Sequence, residues 1–204
     1  MQAVQDTLER RGLRGNVSEN NELWRGHSRV HLRSRPDAGL QVLRLNTLHD
    51  YAKQINQAFE RDTNNDYLVI LGPGVEAIDS EAITELVSWL QIDAVGIVTG
   101  KVLDRQGRLL HAGLLQRPNG VPLAVYAGFE ENTHGYMAVT AIVRNVSTPH
   151  PACCVLERCL WQRLAGLNTD YNGPHALFDF ALNAISYRFS VSLVVALTIP
   201  CGCP

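Results

Sequence analysis

The spacing of apolar and polar residues predicts an alternation of helices and strands. From Leu48 the apolar positions follow the i, i+3, i+4, i+7 spacing of an amphipathic helix that ends near Thr63. Five apolar or aromatic residues then follow without interruption, Tyr67–Leu71, and predict a strand buried on both faces of a largely parallel sheet. Residues 95–98 predict a second short buried strand. The apolar side of the helix consists of Leu48, Tyr51, Ala52, Ile55 and Phe59.

The middle of the chain predicts a helix, a hairpin and a long loop. Asp79 or Ser80 is suited to cap a helix over the following residues. Residues 101–103 and 109–112 flank a polar turn and predict a hairpin. Residues 114–150 are rich in Gly, Pro, Asn and His without a sustained period, so they predict a long loop with at most one strand.

The C-terminal part predicts two helices and a closing strand. Residues 156–164 are helical in pattern, and Gly166 is suited to end that helix. Pro174 begins the last helix. Residues 189–199 alternate between large apolar and smaller residues, which predicts a strand that Pro200 ends. The predicted buried side of the last helix is Leu177, Phe178, Ala181, Leu182 and Ile185.

The N-terminal part is set apart by its basic side chains. Residues 2–11 predict a short helix, and residues 12–21 predict a polar loop. In residues 24–35 the basic side chains occupy odd positions, which share one face of a strand. Such a face predicts weak binding of anions or, as the alternative, a solvated edge strand whose charges discourage aggregation. Its arginines are Arg25, Arg29, Arg33 and Arg35.

Composition indicates an ordinary globular protein. The 204 residues, 46% apolar and 19% charged, suffice for a single domain over residues 1–204 with a sizeable core. A net charge of −2 gives no reason to expect nucleic acid as a partner. No apolar run approaches the ~20 residues that cross a bilayer. The first residues lack an apolar signal core, so we expect a cytoplasmic protein.

The cysteines do not predict a metal site. Their number is five, which is odd, and their spacing differs from that of zinc ribbons. We expect them to be reduced and structural. They are Cys153, Cys154, Cys159, Cys201 and Cys203.

The strand Tyr67–Leu71 ends in residues 72–74, Gly-Pro-Gly, which we term the Gly-Pro-Gly turn. In open α/β sheets, ligands bind outside the carboxyl ends of the strands, so this position usually carries functional side chains. None of these three residues has a functional side chain. The sequence therefore predicts a strand end without the expected chemistry.

Three motifs accompany the turn. A helix with Asn56 precedes the strand, a hairpin reads GKVLDRQGRLLHAG, and a later segment reads VRNVSTPHPACCVLERCLWQRLAGLN. With these motifs, residues 45–190 resemble the bacterial family 2 glycosyltransferases, especially those of O-antigen and rhamnan-type polysaccharide synthesis. The resemblance implies the A-type fold of nucleotide-diphospho-sugar transferases, an α/β sandwich around a mixed sheet.

The resemblance also implies a metal site that this chain does not supply. In that family, aspartates after the buried strand hold Mg²⁺ or Mn²⁺, which neutralises the diphosphate of a nucleotide sugar. The matching residues here are Gly72, Pro73 and Gly74, so we expect no metal and no cofactor. The family's catalytic base aligns with Leu177. Asp179 matches a later aspartate and is either an acceptor-side residue or a solvated helix carboxylate.

On the donor side, the resemblance assigns binding roles to Asn56, Lys101 and His111, although for His111 a structural hydrogen bond is the alternative. The two opening strands that form the family's nucleoside pocket have no counterpart in the divergent residues 1–44. Two explanations stay open: the chain is a piece of a longer polypeptide, or its N-terminal part has diverged.

These departures predict a catalytically degenerate domain of bacterial surface-glycan synthesis. It would act as a structural module or bind a glycan or an active glycosyltransferase domain, in the cytoplasm or peripherally at the inner membrane. The alternative is an active, metal-independent glycosyltransferase. In that case Lys101, Arg105 or Arg144 would stabilise the departing diphosphate of the nucleotide sugar.

Overall fold

The computed structural model describes residues 1–20, 23, 27–35, 37–75, 80–118 and 120–200, of which residues 193–200 are described by their backbone alone. It is a mixed α/β fold, as predicted, with helices on both faces of a mixed sheet. The helices are α1 (Gln2–Arg10), α2 (Tyr51–Arg61), α3 (Ser80–Ser88), α4 (Arg158–Arg163) and α5 (His175–Ser186). The strands are β1 (Gly15–Glu19), β2 (Ser28–Leu32), β3 (Leu40–Arg44), β4 (Tyr67–Leu71), β5 (Val95–Leu103), β6 (Leu109–His111), β7 (Leu114–Gln116), β8 (Pro122–Ala124), β9 (Arg144–Val146), β10 (Cys153–Glu157) and β11 (Ser190–Pro200).

The main sheet has seven strands in the order β3-β4-β10-β5-β11-β9, with β6 beside β5. Strands β3 and β4 are parallel, as are β5 and β11. The expectation of a largely parallel sheet was wrong, because β10 runs antiparallel between β4 and β5. Its residue Val155 lies level with Val69 on one side and Val98 on the other.

The buried strand β4 contributes side chains to both halves of the core, one on each face of the sheet. Leu68 and Ile70 pack in the half that contains α2 and α5. Tyr67, Val69 and Leu71 pack in the half that contains α3. All five side chains are buried, and each such burial contributes about 1.5–3 kcal/mol. This arrangement confirms the predicted burial on both faces.

Arg158 links the end of β10 to the segment between α2 and β4. Its Nη1 donates to the carbonyl oxygen of Phe59 at 2.8 Å, and its guanidinium lies 5.1 Å from the centre of the Phe59 ring. The other guanidinium nitrogens donate to the carbonyl oxygens of Asp62 and Asn65. One cation therefore satisfies three carbonyl groups where α2 ends.

The N-terminal segment forms a hairpin that packs against α3. The loop predicted for residues 12–21 was wrong, since Gly15–Glu19 pairs with Ser28–Leu32 along their full lengths. The strand predicted for residues 24–35 is shorter than expected and stops at Leu32, before Arg33 and Arg35. Arg25 lies outside the described residues. Arg29 approaches Glu85 of α3 at 3.7 Å between Nη2 and Oε1.

The helix predicted over residues 156–164 is mostly right but begins later. Leu156 and Glu157 belong to β10, and only Arg158–Arg163 is helical. Pairing with strands on both sides holds Leu156 in an extended conformation despite its place in a helical pattern. Residues 114–150, predicted as a loop with at most one strand, contain three short strands, β7, β8 and β9.

The last helix buries a different face from the one predicted. Leu177 and Ala181 are buried as expected, whereas Leu182 and Ile185 are 40% and 43% exposed. The buried side instead includes small residues, which let the helix approach the sheet closely. The full buried set is Ala176, Leu177, Phe180, Ala181 and Ala184.

Candidate functional site

The Gly-Pro-Gly turn follows β4 and lies against the residues that precede β10. The Gly72 amide donates to the carbonyl oxygen of Ala152 at 2.9 Å. A Cβ atom at Gly72 would lie 2.7 Å from the Pro151 carbonyl oxygen and 2.9 Å from the Ala152 Cα. Gly74 has a φ of +79°, in the left-handed region. Both glycines are therefore required by the backbone around them.

This backbone does not accommodate the carboxylates that the family resemblance places at the turn. An aspartate at Gly72 would collide with backbone atoms, which cannot rotate away as a flexible side chain can. An aspartate at Gly74 would adopt a conformation that costs an L-residue about 1–2 kcal/mol. Glu76 and Asp79, the other carboxylates near the turn, lie outside the described residues. Within the described ranges, no cluster of three or more His, Cys, Asp or Glu residues has a metal-binding arrangement.

Two histidines stack next to the segment that contacts the turn. The rings of His111 and His150 have centroids 4.0 Å apart and planes inclined by 10°. Burial is the largest cause that lowers the pKa of His111 well below its usual value, and the neighbouring His150 lowers it further. Burial also lowers the pKa of His150 to about 4. Both rings are consequently neutral at pH 7.

The hydrogen bonds of the two rings define their tautomers. The Gly113 amide donates to Nδ1 of His111 at 3.2 Å, and the Ala152 amide donates to Nδ1 of His150 at 3.1 Å. A neutral imidazole that accepts at Nδ1 carries its hydrogen on Nε2. Nε2 of His111 and Oγ1 of Thr148 are both buried without a hydrogen-bond partner. In this tautomer each of the two imidazoles has an N–H donor at Nε2. Neither ring therefore has a lone pair at Nε2 that could bind a metal.

Asn56 binds the chain itself. Its Oδ1 accepts hydrogen bonds from Nε1 of Trp161 and from the Leu167 amide, both at 2.9 Å. Its Nδ2 donates to the Leu167 carbonyl oxygen at 2.8 Å. The structure thus gives this predicted donor-side residue three contacts that join α2 to the segment after α4.

Lys101 is only 8% exposed and lines an open cleft of about 1000 Å³. Neither the Gly-Pro-Gly turn nor His111 is among the residues that line this cleft. The structure therefore does not bring the predicted donor-side residues Asn56, Lys101 and His111 together in one cavity.

Arg144 and Arg105, the other candidate cations, have different surroundings. The Arg144 guanidinium donates to the carbonyl oxygens of Val139, Asn145 and Ala112 at 3.0, 3.2 and 2.8 Å. Burial lowers its pKa. Arg105 lies exposed in the turn between β5 and β6. Arg144 thus stabilises the irregular segment that precedes β9.

The remaining predicted positions are also placed by the structure. Leu177, aligned with the catalytic base, is fully buried in the core half that contains α2 and α5. Asp179 lies half-buried on α5 and accepts a hydrogen bond from Asn183 at 3.2 Å. Cys153 and Cys154 are buried free thiols, and Cys159 is an exposed one. Cys201 and Cys203 lie outside the described residues.

Sequence reasoning missed two residues of the cleft and one of the histidine pair. Glu85 and Trp89 line the cleft, and their separation of four residues on a helical segment was the available signal. No sequence pattern pairs His150 with His111, because 39 residues separate them in the chain. No helix in the described part of the chain has both the length and the apolarity to cross a membrane.

No family model matches this chain. It is 26% identical over 132 residues to the uncharacterized protein y4gI of Sinorhizobium fredii, and this match covers 65% of the chain. It is also 26% identical over 148 residues, 66% of the chain, to the O-antigen biosynthesis protein RfbC of Myxococcus xanthus. The matches cover only 14% and 11% of the lengths of these two relatives.

Among solved structures, the chain is similar to the mannosyltransferase PcManGT of Pyrobaculum calidifontis in complex with GDP-mannose and Mn²⁺. The TM-score is 0.49 and the sequence identity is 16%. The similarity covers 75% of this chain and 36% of the other.

We predict that replacing Asn56 by Ala lowers the free energy of unfolding by about 2–4 kcal/mol, because Trp161 and Leu167 lose their partners in a partly buried position. Urea unfolding followed by tryptophan fluorescence measures this change. The matched control is Gln57→Ala, an exposed residue of the same helix, which should change stability by less than about 0.5 kcal/mol. Equal stability of the two variants would contradict the structural role of Asn56.

We predict that Gly72→Ala destabilises the protein by about 2–3 kcal/mol, because the new methyl group overlaps the backbone of Pro151 and Ala152. The control is Gly107→Ala, at a φ of +75° with open space around it, which should cost only about 1 kcal/mol. Thermal unfolding compares the two variants. If Gly72→Ala were the milder change, the turn would tolerate side chains and our account of it would fail.

We predict an acid-sensitive stability from the histidine pair. The folded-state pKa of His150 lies below its unfolded value, so its contribution is present above pH 6.5 and is lost as the pH falls towards 4. His150→Asn keeps an acceptor for the Ala152 amide but does not titrate. Between pH 7 and 4 it should lose on the order of 3 kcal/mol less stability than the unmodified protein.

The control for this pH experiment is His49→Asn, because His49 is exposed. This variant should keep the acid sensitivity of the unmodified protein. Urea midpoints at intervals of half a pH unit provide the comparison. A His150→Asn profile that follows the unmodified protein would exclude His150 as the source of the acid sensitivity.

Proposed function

We propose that this chain is a catalytically degenerate glycosyltransferase-like domain of bacterial polysaccharide or cell-surface glycan synthesis. Its fold is of the A type found in family 2 glycosyltransferases. It acts as a structural module or binds a glycan or a partner protein. The O-antigen biosynthesis protein that matches 66% of the chain supports the process, and the sequence motifs of residues 45–190 support the family.

The observation that carries the proposal is the fit between the Gly-Pro-Gly turn and the backbone of Pro151 and Ala152. Transfer from a nucleotide sugar develops negative charge on the departing diphosphate, which a bound dication neutralises. Carboxylates are the usual ligands of Mg²⁺ and Mn²⁺. In this chain, backbone atoms of Pro151 and Ala152 occupy the space that the side chain of the first carboxylate would need. A carboxylate at Gly72 would therefore require the backbone to move as well as the residue to be replaced.

A second role for the chain follows from the length of its relatives. Because the matches span 14% and 11% of those proteins, other domains of such proteins would carry out transfer. In that arrangement the degenerate domain positions an active glycosyltransferase domain or holds the growing glycan near it. Both roles are compatible with an intact core, which the buried β4 and β10 preserve.

The proposal predicts no manganese-dependent binding of nucleotide sugars. Isothermal titration of the folded chain with UDP- and dTDP-sugars, each with Mn²⁺ or with EDTA, measures this, because the chain lacks carboxylates at the Gly-Pro-Gly turn. An active family 2 glycosyltransferase serves as the positive control under identical conditions. Micromolar binding that requires Mn²⁺ would contradict the proposed degeneracy.

The alternative function is a metal-independent glycosyltransferase, and the buried Lys101 is the observation that favours it. A cationic side chain in a poorly solvated place stabilises an anionic leaving group without a metal. Turnover of a nucleotide sugar that persists in EDTA and falls at least tenfold in Lys101→Ala would establish this function. Arg61→Ala, an exposed residue of α2, is the matched control.

A further inference from the structure

The open cleft that contains Lys101 is separate from the Gly-Pro-Gly turn. The β1–β2 hairpin, α3 with the turn that follows it, β5, and residues 130–143 form its walls. Its volume of about 1000 Å³ lies at the upper end of the range usual for ligand pockets. One wall belongs to residues 1–44, outside the part that resembles the glycosyltransferases. Asn20, Ser28, Arg29 and Val30 form that wall.

Two side chains on one wall have buried polar atoms that form no hydrogen bond within the described chain. Oε1 of Glu85 and Nε1 of Trp89 are buried, and neither takes part in a hydrogen bond. Oε1 of Glu85 forms an ion pair with Nη2 of Arg29 at 3.7 Å, a distance beyond that of an ordinary hydrogen bond. A buried polar group without a partner is uncommon in native proteins, and an unplaced water or ligand is a usual explanation. An acceptor and a donor therefore lie on the same wall, four residues apart in the chain.

The charges of the cleft are balanced and do not favour a polyanionic ligand. Three acidic and three basic side chains line it, so no single sign prevails. A phosphate group only accepts hydrogen bonds, and it would be repelled by the carboxylate of Glu85. A hydroxyl group both donates and accepts, so neighbouring hydroxyls can satisfy Glu85 and Trp89 together. The charged residues of the lining are Glu85, Glu130, Glu131, Arg29, Lys101 and Arg108.

The same cleft also has an apolar surface. Val30, Ile142 and Val143 line it together with the Trp89 side chain. Ligand pockets combine such apolar surface with a few directed polar groups. The C–H faces of a sugar ring can pack on the apolar surface, and its hydroxyls can form hydrogen bonds with the polar groups.

We propose that this cleft binds a neutral saccharide of a few sugar units, with Glu85 accepting from one hydroxyl and Trp89 donating to another. The inference rests on the proposed function, which gives the reason to expect a glycan as ligand. It deepens that function by naming the site at which the glycan would bind. The proposed binding site lies away from the Gly-Pro-Gly turn, and part of it belongs to the β1–β2 hairpin.

The test uses the full chain and an array of neutral oligorhamnosides, oligomannosides and oligoglucosides. Isothermal titration then gives the affinity for the best array ligand. Glu85→Gln removes the charge and Trp89→Phe removes the N–H group, and each should weaken binding at least tenfold. Glu81→Gln, an exposed residue at the start of α3, is the matched control and should leave the affinity within twofold. Circular dichroism and thermal unfolding verify that every variant is folded.

Affinity should stay constant between 0.05 and 0.5 M salt (about one decade), because screening acts on charged ligands. No binding by any glycan of the array, unchanged affinity in both cleft variants, or strong salt dependence would each overturn the inference. Manganese-dependent nucleotide-sugar binding with undiminished glycan binding would instead contradict the proposed function and leave the cleft in place. The two failures are therefore distinguishable.

Discussion

The insertion of β10 between β4 and β5 is the constraint on which the rest of the structure depends. This strand pairs antiparallel with both neighbours, and four of its five residues lie in the two core halves, Cys154 and Leu156 in one and Cys153 and Val155 in the other. The chain must therefore turn sharply just before Cys153, beside the carboxyl end of β4. That turn presses Pro151 and Ala152 against Gly72 and brings His150 onto His111. The central pairing of the sheet thus determines which residues the strand end can hold.

The buried charges and polar groups divide into two kinds. Arg158, Arg144 and Asn56 bind carbonyl and amide groups of irregular segments, so their polar atoms serve the fold. Oε1 of Glu85, which is ion-paired with Arg29, and Nε1 of Trp89 are buried atoms that form no hydrogen bond within the described chain. Leaving such a group unpaired costs about 1–3 kcal/mol, so it indicates either a bound partner or a function that offsets the cost. Nε2 of His111 and Oγ1 of Thr148, outside the cleft, belong to the same second kind.

The pattern of apolar and polar residues was sufficient to predict the helices and strands whose environment is uniform along their length. The buried β4, the amphipathic α2 and the hairpin of β5 and β6 were all predicted, because each repeats one local pattern. It failed at β10, where Leu156 extends a helical pattern but long-range pairing determines the conformation. It also failed for β1, whose residues carry little apolar alternation, whereas the alternation of basic residues predicted the strand that contains β2. The predicted site residues could be identified by type, but their separation into different cavities required the tertiary structure.

The spatial separation of the Gly-Pro-Gly turn from the cleft allows the two places to differ independently in the chemistry that they support. The close fit at Gly72 involves the backbone of Pro151 and Ala152, and neither the Gly-Pro-Gly turn nor those two residues line the cleft. The hairpin of β1 and β2 contacts α3 through Arg29 and Glu85, so it can add a wall there independently of the strand end. Under the proposed function, selection on the cleft would preserve Glu85 and Trp89 without constraining the Gly-Pro-Gly turn.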